Sequence, residues 1–225
     1  MSLKPIKKSN LSAGWNKKVN LSKSAISSRK IAKKFLIVCE GQTEEIYFKS
    51  FPVLTASVKA EPTGSTKLAL VREAKKLAKE DNYDEIWCIF DMDINYANQE
   101  NQRNDFNSAI QQCQETKKFK VAYSNDCFEL WFCLHFDYID QQNHRKFYYK
   151  KLREFWNINY EEKGKELDFC TTIYSKLQES NCSQEEATKR AEKLFNSKIL
   201  DSPCDQNPVT TVYELVRELN KYLIK

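Results

Sequence analysis

"FLIVCEGQTEE", residues 35–45, decides how the rest of the chain is read. Four of the five residues from Phe35 to Cys39 are Phe, Leu, Ile or Val, the composition of a strand buried on both faces. The run stops on a carboxylate, Glu40, with Gly41 directly behind it. Gly41 permits a sharp turn, and Thr43 followed by Glu44 and Glu45 reads as a helix start. Glu40 is therefore expected at the carboxyl end of a central strand, the edge where open α/β sheets bind ligands.

Further along, "ASVKAEP" (56–62) offers a second short strand, and "PTGST" (62–66) a turn and helix cap. "KLALVREAKKLAKE" (67–80) places Leu70, Val71, Ala74, Leu77 and Ala78 at helical spacing. "EIWCIF" (85–90) is another buried strand, ended by Asp91-Met92-Asp93. A polar helix near 103–115, a strand at 119–123 and an aromatic helix at 127–136 follow. This order predicts an α/β fold with a small, mostly parallel sheet flanked by helices. Beyond residue 137 no strand pattern is visible, and helices are expected at 145–156, 171–180 and 183–196. Residues 201–211 read as a loop, and Thr211-x-x-Glu214 as the cap of a last helix. The chain divides into a basic flexible arm (1–34), an α/β core (35–136) and an all-helical extension packed on it (137–225).

The charge is unevenly spread. Residues 1–34 carry ten Lys or Arg and no acid, so the remainder holds 26 basic against 31 acidic residues. Such an arm, with Lys17, Lys18, Arg29, Lys30, Lys33 and Lys34 its main cations, attracts phosphate backbones without sequence preference. A solubilising tail is the alternative. No apolar stretch approaches the roughly 20 residues of a membrane helix, and no signal peptide is recognised, so a cytoplasmic protein is expected. Eight cysteines are scattered without a CxxC, which favours buried free thiols over disulfides or zinc. Only His135 and His144 are present, which argues against chemistry that needs several histidines.

If the strands at 35–40 and 85–90 are parallel neighbours, Glu40, Asp91 and Asp93 gather at one edge. Asp91 and Asp93 share a face if the chain stays extended. Crowded carboxylates repel unless a divalent cation lies among them, and Mg²⁺ suits a few carboxylates plus water and phosphate oxygens. The plain alternative is that acids begin loops. Glu129, inside the apolar "CFELWFCLHF" (127–136), needs a partner or a metal; an exposed helix position is its alternative. Ser124 and Asn125 either bond a phosphate or cap the next helix. Thr63, Gly64, Ser65 and Thr66 read as an ordinary cap, for no Gly-Lys-Ser/Thr is present. The aromatics of 145–156 read first as core, and His135 as a packed histidine.

The Glu-Gly after one strand and the Asp-x-Asp after another resemble the Toprim domain of topoisomerases, bacterial primases and OLD-type nucleases. More closely, the chain resembles the RloB family of Toprim proteins from bacterial restriction and phage-defence loci. The stretches that carry this are "LIVCEGQTEEIYF" (36–48), "FDMD" (90–93), "SNDCFELWFCLHF" (124–136) and "NPVTTVYELV" (207–216). Asp126 departs from the pattern, standing where a proline is expected. The resemblance implies that Asp91 and Asp93 hold Mg²⁺ (or Mn²⁺), with Glu40 a further ligand or a general acid/base; Glu129, from its place in the apolar helix after the fourth strand, is the fourth catalytic candidate. Gly41, Thr43, Ser124 and Asn125 are assigned to substrate binding. The implied activity is a Mg²⁺-dependent phosphodiester hydrolase, a nuclease on DNA or RNA in anti-phage defence, with a co-encoded regulatory or ATPase partner. The alternative is a non-catalytic nucleic-acid- or nucleotide-binding subunit. No Tyr nucleophile, strand-passage domain or zinc module supports a topoisomerase or primase.

Overall fold

The apolar run at 35–39 forms strand β1 (Phe35–Cys39), and every one of its residues is buried. In a computed structural model that describes residues 33–60, 66–93, 99–179 and 181–224, β1 is flanked on both sides by parallel neighbours. Strand β2 (Ala56–Ala60) pairs along one edge and β3 (Glu85–Asp91) along the other. Strand β4 (Phe119–Asn125) runs parallel to β3, and β5 (Val209–Thr210) closes the sheet antiparallel to β4. The order is β2-β1-β3-β4-β5.

Between the strands lie α1 (Gln42–Lys49), α2 (Lys67–Leu77) and α3 (Gln99–Gln114). Right-handed crossovers put α1 on one face, because β1 to β2 steps one way, and α2 and α3 on the other, because the next steps run back. Helix α2 packs on α3 accordingly. After β4 the chain makes α4 (Glu129–Leu134), α5 (Arg145–Trp156), α6 (Tyr160–Lys163), α7 (Leu167–Lys176), α8 (Gln184–Ser197) and α9 (Val212–Leu219). Helix α1 meets α7, and α4 meets α5 and α8. Tyr47 is the hub of that layer: its ring meets Phe128 and Phe132 edge-on, and its hydroxyl accepts from Trp131 Nε1 at 2.9 Å.

The α/β expectation holds, and three readings are corrected. First, "NPVTT" is not a loop: Val209 and Thr210 add a strand to β4. Thr211 does not cap α9; its Oγ1 accepts from Tyr123 N at 2.9 Å. The extension is therefore not all-helical and shares the sheet. Second, the expected arm ends sooner. Lys33 Nζ reaches Glu85 Oε1 at 2.5 Å and Glu218 Oε1 at 2.9 Å, and Lys34 pairs with Asp81. These two lysines are committed to the folded body, whereas Lys17, Lys18, Arg29 and Lys30 lie outside the described residues. Third, α4 is shorter than read and α6 was not anticipated. All eight cysteines are free thiols, seven of them buried.

His135 is a packed histidine, as expected. Its Nδ1 lies 2.9 Å from the Trp131 carbonyl oxygen and so donates to it. Nε2 is buried with no partner, and burial pushes the ring pKa down to about 4. The unfolded chain takes up a proton near pH 6.5 that the folded state refuses, so this group removes stability as pH falls from 6.5 towards 4. Relative to His135→Asn, whose amide can donate to the same carbonyl, the wild type should lose up to about 3 kcal/mol across that window. Urea unfolding of both proteins at pH 7, 5.5 and 4.5 measures it; parallel curves would contradict the assignment.

Candidate active site

β1 and β3 are adjacent and parallel, and the strand order reverses between them, so their carboxyl ends form the crevice where such sheets bind ligands. Glu40 continues β1, its N–H donating to Ile89 O at 3.0 Å, and its Oε2 accepts from Asp91 N at 3.2 Å. The two strand ends are thus tied together. A cleft of about 400 Å³ opens there, lined by Glu40, Gly41, Gln42, Thr43, Glu44, Asp91, Asp93, Cys127, Glu129, Arg145, Tyr149 and Lys165.

Asp91 meets the cleft at the end of β3. Oδ2 accepts from Phe128 N at 2.9 Å, while Oδ1 is buried without a partner. Burial and then the charges of Glu44, Glu129 and Glu40 push its carboxyl well above the usual range. Asp93 is different. The chain leaves the extended form, with φ of 53° at Asp93, so the two aspartates do not share a face as expected. Asp93 has a half-exposed side chain and pairs with Arg145. Its N–H donates to Asp126 O at 3.2 Å. Glu129 is buried, not an exposed helix position; Oε1 lies 3.4 Å from the Tyr160 hydroxyl and 4.0 Å from Lys165 Nζ.

Gly41 sits close against the end of the Glu44 side chain. Its backbone is extended, φ −133°, yet a Cβ there would lie 2.7 Å from Glu44 Oε2. Glu44 is the acid that sequence reasoning passed over. It is buried in the cleft, and burial, then Glu129 and Glu40, push its carboxyl up to about 7. The signal was the spacing of four between Glu40 and Glu44, which brings a first-turn helical acid back over a strand end.

Three cations were also missed. Lys67, the first residue of α2, pairs with Glu40. Arg145 opens α5, and Lys165 follows α6. Thr43 lines the cleft, its hydroxyl 3.9 Å from Cys170 Sγ. Ser124 and Asn125 are not at the cleft. Ser124 Oγ bonds Thr210 Oγ1 at 3.0 Å, and Asn125 Nδ2 donates to Cys204 O at 3.0 Å. Neither caps a helix; their bonds tie β4 to β5 and to the 203–205 turn, while Asn125 Oδ1 is buried without a partner. Of the 63–66 turn, Thr66 caps α2 by accepting from Ala69 N at 3.1 Å; residues 63–65 are outside the described set.

The cleft and sheet define an α/β protein with an acidic, cation-flanked crevice at its topological switch point. The chain belongs to the RloB-like protein family, whose model matches residues 35–219. No curated protein and no solved structure matches it.

Glu44 yields a stability prediction. Its folded pKa of about 7 exceeds the unfolded value, so the native state keeps a proton that the unfolded chain has lost. Its contribution to stability falls as pH rises from about 4.5 to 7 and stays low above. In EDTA at pH 8, Glu44→Gln should be more stable than wild type by about 1–3 kcal/mol, and the gain should vanish near pH 4.5. Denaturant titrations at both pH values decide it. This slope opposes that of His135, so each emerges only against its own variant.

Proposed function

We propose that this protein is a metal-dependent phosphodiester hydrolase of the Toprim type, a nuclease acting on DNA or RNA in bacterial defence against phage. The observation that carries the reading is the buried, unpartnered Oδ1 of Asp91 amid Glu40, Glu44 and Glu129. A buried carboxyl oxygen without a partner is costly to ionise, and a cation would relieve that cost. Hard carboxylate oxygens suit Mg²⁺ or Mn²⁺ rather than a thiolate-seeking metal, and the nearby Cys127 thiol is held protonated by burial and acidic neighbours. Among the described residues no three His, Cys, Asp or Glu already stand as a ligand set. Lys67 and Arg145 instead hold Glu40 and Asp93.

Asp91 and Glu40 would hold the metal, with Asp93 contributing from the rim. A bound Mg²⁺ supplies a polarised phosphate and a water of lowered pKa. Glu44, titrating near neutrality, is suited to take and return a proton at its carboxylate. Lys67 neutralises Glu40 and keeps the strand end ordered. The ion pairs at Glu40 and Asp93 favour one other reading, a subunit that binds nucleic acid or nucleotide without cleaving it. A co-encoded regulatory or ATPase partner fits either.

Asp91→Asn separates them. Labelled DNA, single-stranded RNA and total tRNA are incubated with full-length protein in Mg²⁺ or Mn²⁺. The hydrolase reading expects cleavage that EDTA abolishes and that Asp91→Asn lowers by at least about 10²-fold, with nucleic-acid binding retained. Binding without cleavage of any substrate would sink it and leave the binding subunit.

A further inference from the structure

Helices α2 and α5 both begin with a cation, Lys67 and Arg145, and neither has an acid in its first turn. That is the wrong sign for a helix start, where the macrodipole favours negative charge. Each is built in the same way. An acid from another element accepts the backbone N–H of the cation: Asp105 from Lys67 N at 2.7 Å, Asp126 from Arg145 N at 2.8 Å. The side chain then reaches a carboxylate of the cleft, Glu40 for Lys67 and Asp93 for Arg145. Such placement against the helix dipole needs a reason beyond helix stability.

The two differ in what they offer the cleft. Lys67 is a point charge with a side chain only 12 % exposed. Arg145 lines the cleft and keeps a quarter of its side chain exposed. A guanidinium carries five N–H donors in a rigid fork, more than one carboxylate can take, and the fork matches two oxygens of a phosphate. Lys165 stands in the same lining, its Nζ 5.4 Å from the centre of the Tyr149 ring. The cleft therefore sets acids of the strand ends and of α1 and α4 beside two cations of the extension, Arg145 and Lys165.

Asp126 supplies the fixed point. It is buried, follows β4 directly, and its Oδ2 takes the Arg145 N–H while lying 4.0 Å from Arg145 Nε. The same residue's carbonyl accepts from Asp93 N. One residue thus fixes both the arginine and the aspartate with which it pairs. We propose that Arg145 is the phosphate-binding residue of this cleft and that Asp126 is its positioning residue, setting the guanidinium over the strand-end carboxylates. This rests on the hydrolase reading for the identity of the anion, a phosphodiester, but not for the arrangement that binds it.

The test uses inorganic phosphate as probe, titrated into the full-length protein with Mg²⁺ present and followed by ³¹P line broadening. Wild type should bind saturably, and Arg145→Ala should weaken binding by at least about tenfold. Asp126→Asn, which can still accept the backbone N–H, should weaken it in the same direction. In the Arg145→Ala background Asp126→Asn should have no further effect, a non-additivity that mere loosening of the fold would not produce. Arg145→Lys, which keeps charge but loses the fork, should fall between and serves if the alanine variant does not fold. Wild-type affinity in a folded Arg145 variant, or no saturable binding by wild type, overturns the phosphate site. Additive losses overturn the role of Asp126. Phosphate binding through Arg145 without nucleic-acid cleavage would count against the hydrolase reading alone; cleavage with phosphate affinity indifferent to Arg145 would count against this inference alone.

Discussion

Asp91 is the constraint around which the rest is arranged. It ends the strand next to β1 in a sheet buried on both faces, and its side chain lines the cleft with Oδ1 buried. One oxygen is held by the Phe128 N–H, which fixes the start of α4 against the strand end. The other has no partner, and three further acids converge on it. A cluster of that kind destabilises an empty fold, because removing like charges from water raises the cost of ionising each. The native state accommodates it in two ways. Burial and like charge push the carboxyls of Asp91 and Glu44 upward, the latter to about 7, and cations are brought to the outer ones, Glu40 and Asp93.

Those cations explain features that otherwise look like errors of helix design. A lysine and an arginine as first residues oppose the helix dipole. The opposition is offset because the backbone N–H groups they expose are taken by Asp105 and Asp126. The cost of a misplaced charge at a helix start is small, a fraction of a kcal/mol to about one. Pairing with Glu40 and Asp93, both partly exposed, returns about the same. The two effects are comparable, and the backbone caps from Asp105 and Asp126 let α2 and α5 begin where they do.

How much of this the sequence discloses follows from the same physics. β1 and β3 are legible because a strand buried on both faces must be apolar throughout, and a charge at its end marks where burial stops. Glu40 and Asp91 are read from that interruption alone. β5 is not legible: "NPVTT" has the composition of a loop, and its two strand residues exist only because the end of β4 needs a partner. Glu44 is hidden for a different reason. Glu44 and Glu45 are adjacent, and which of them turns inward depends on how α1 docks, which local periodicity does not fix. An Asp-x-Asp reads as extended, whereas the backbone turns at Asp93, yet Glu40, Asp91 and Asp93 still line one cleft. Ser124 and Asn125 show the reverse failure. Polar residues at a strand end look functional, yet here they satisfy a sheet edge that the sequence did not announce.

The cleft also bears on what counts as the unit of this protein. The strand-end acids come from residues before 136, but Arg145, Tyr149 and Lys165 come from beyond it. So do β5, which covers the free edge of β4, and Glu218, which with Glu85 holds Lys33. Glu129 meets Tyr160 and Lys165 from the extension as well as the Cys127 thiol beside it. A core cut at 136 would take Tyr160 and Lys165 from Glu129 and Arg145 from Asp126 and Asp93. The extension is thus not an appendage to a finished core. It brings two of the cations, Arg145 and Lys165, that face the acids at the sheet edge.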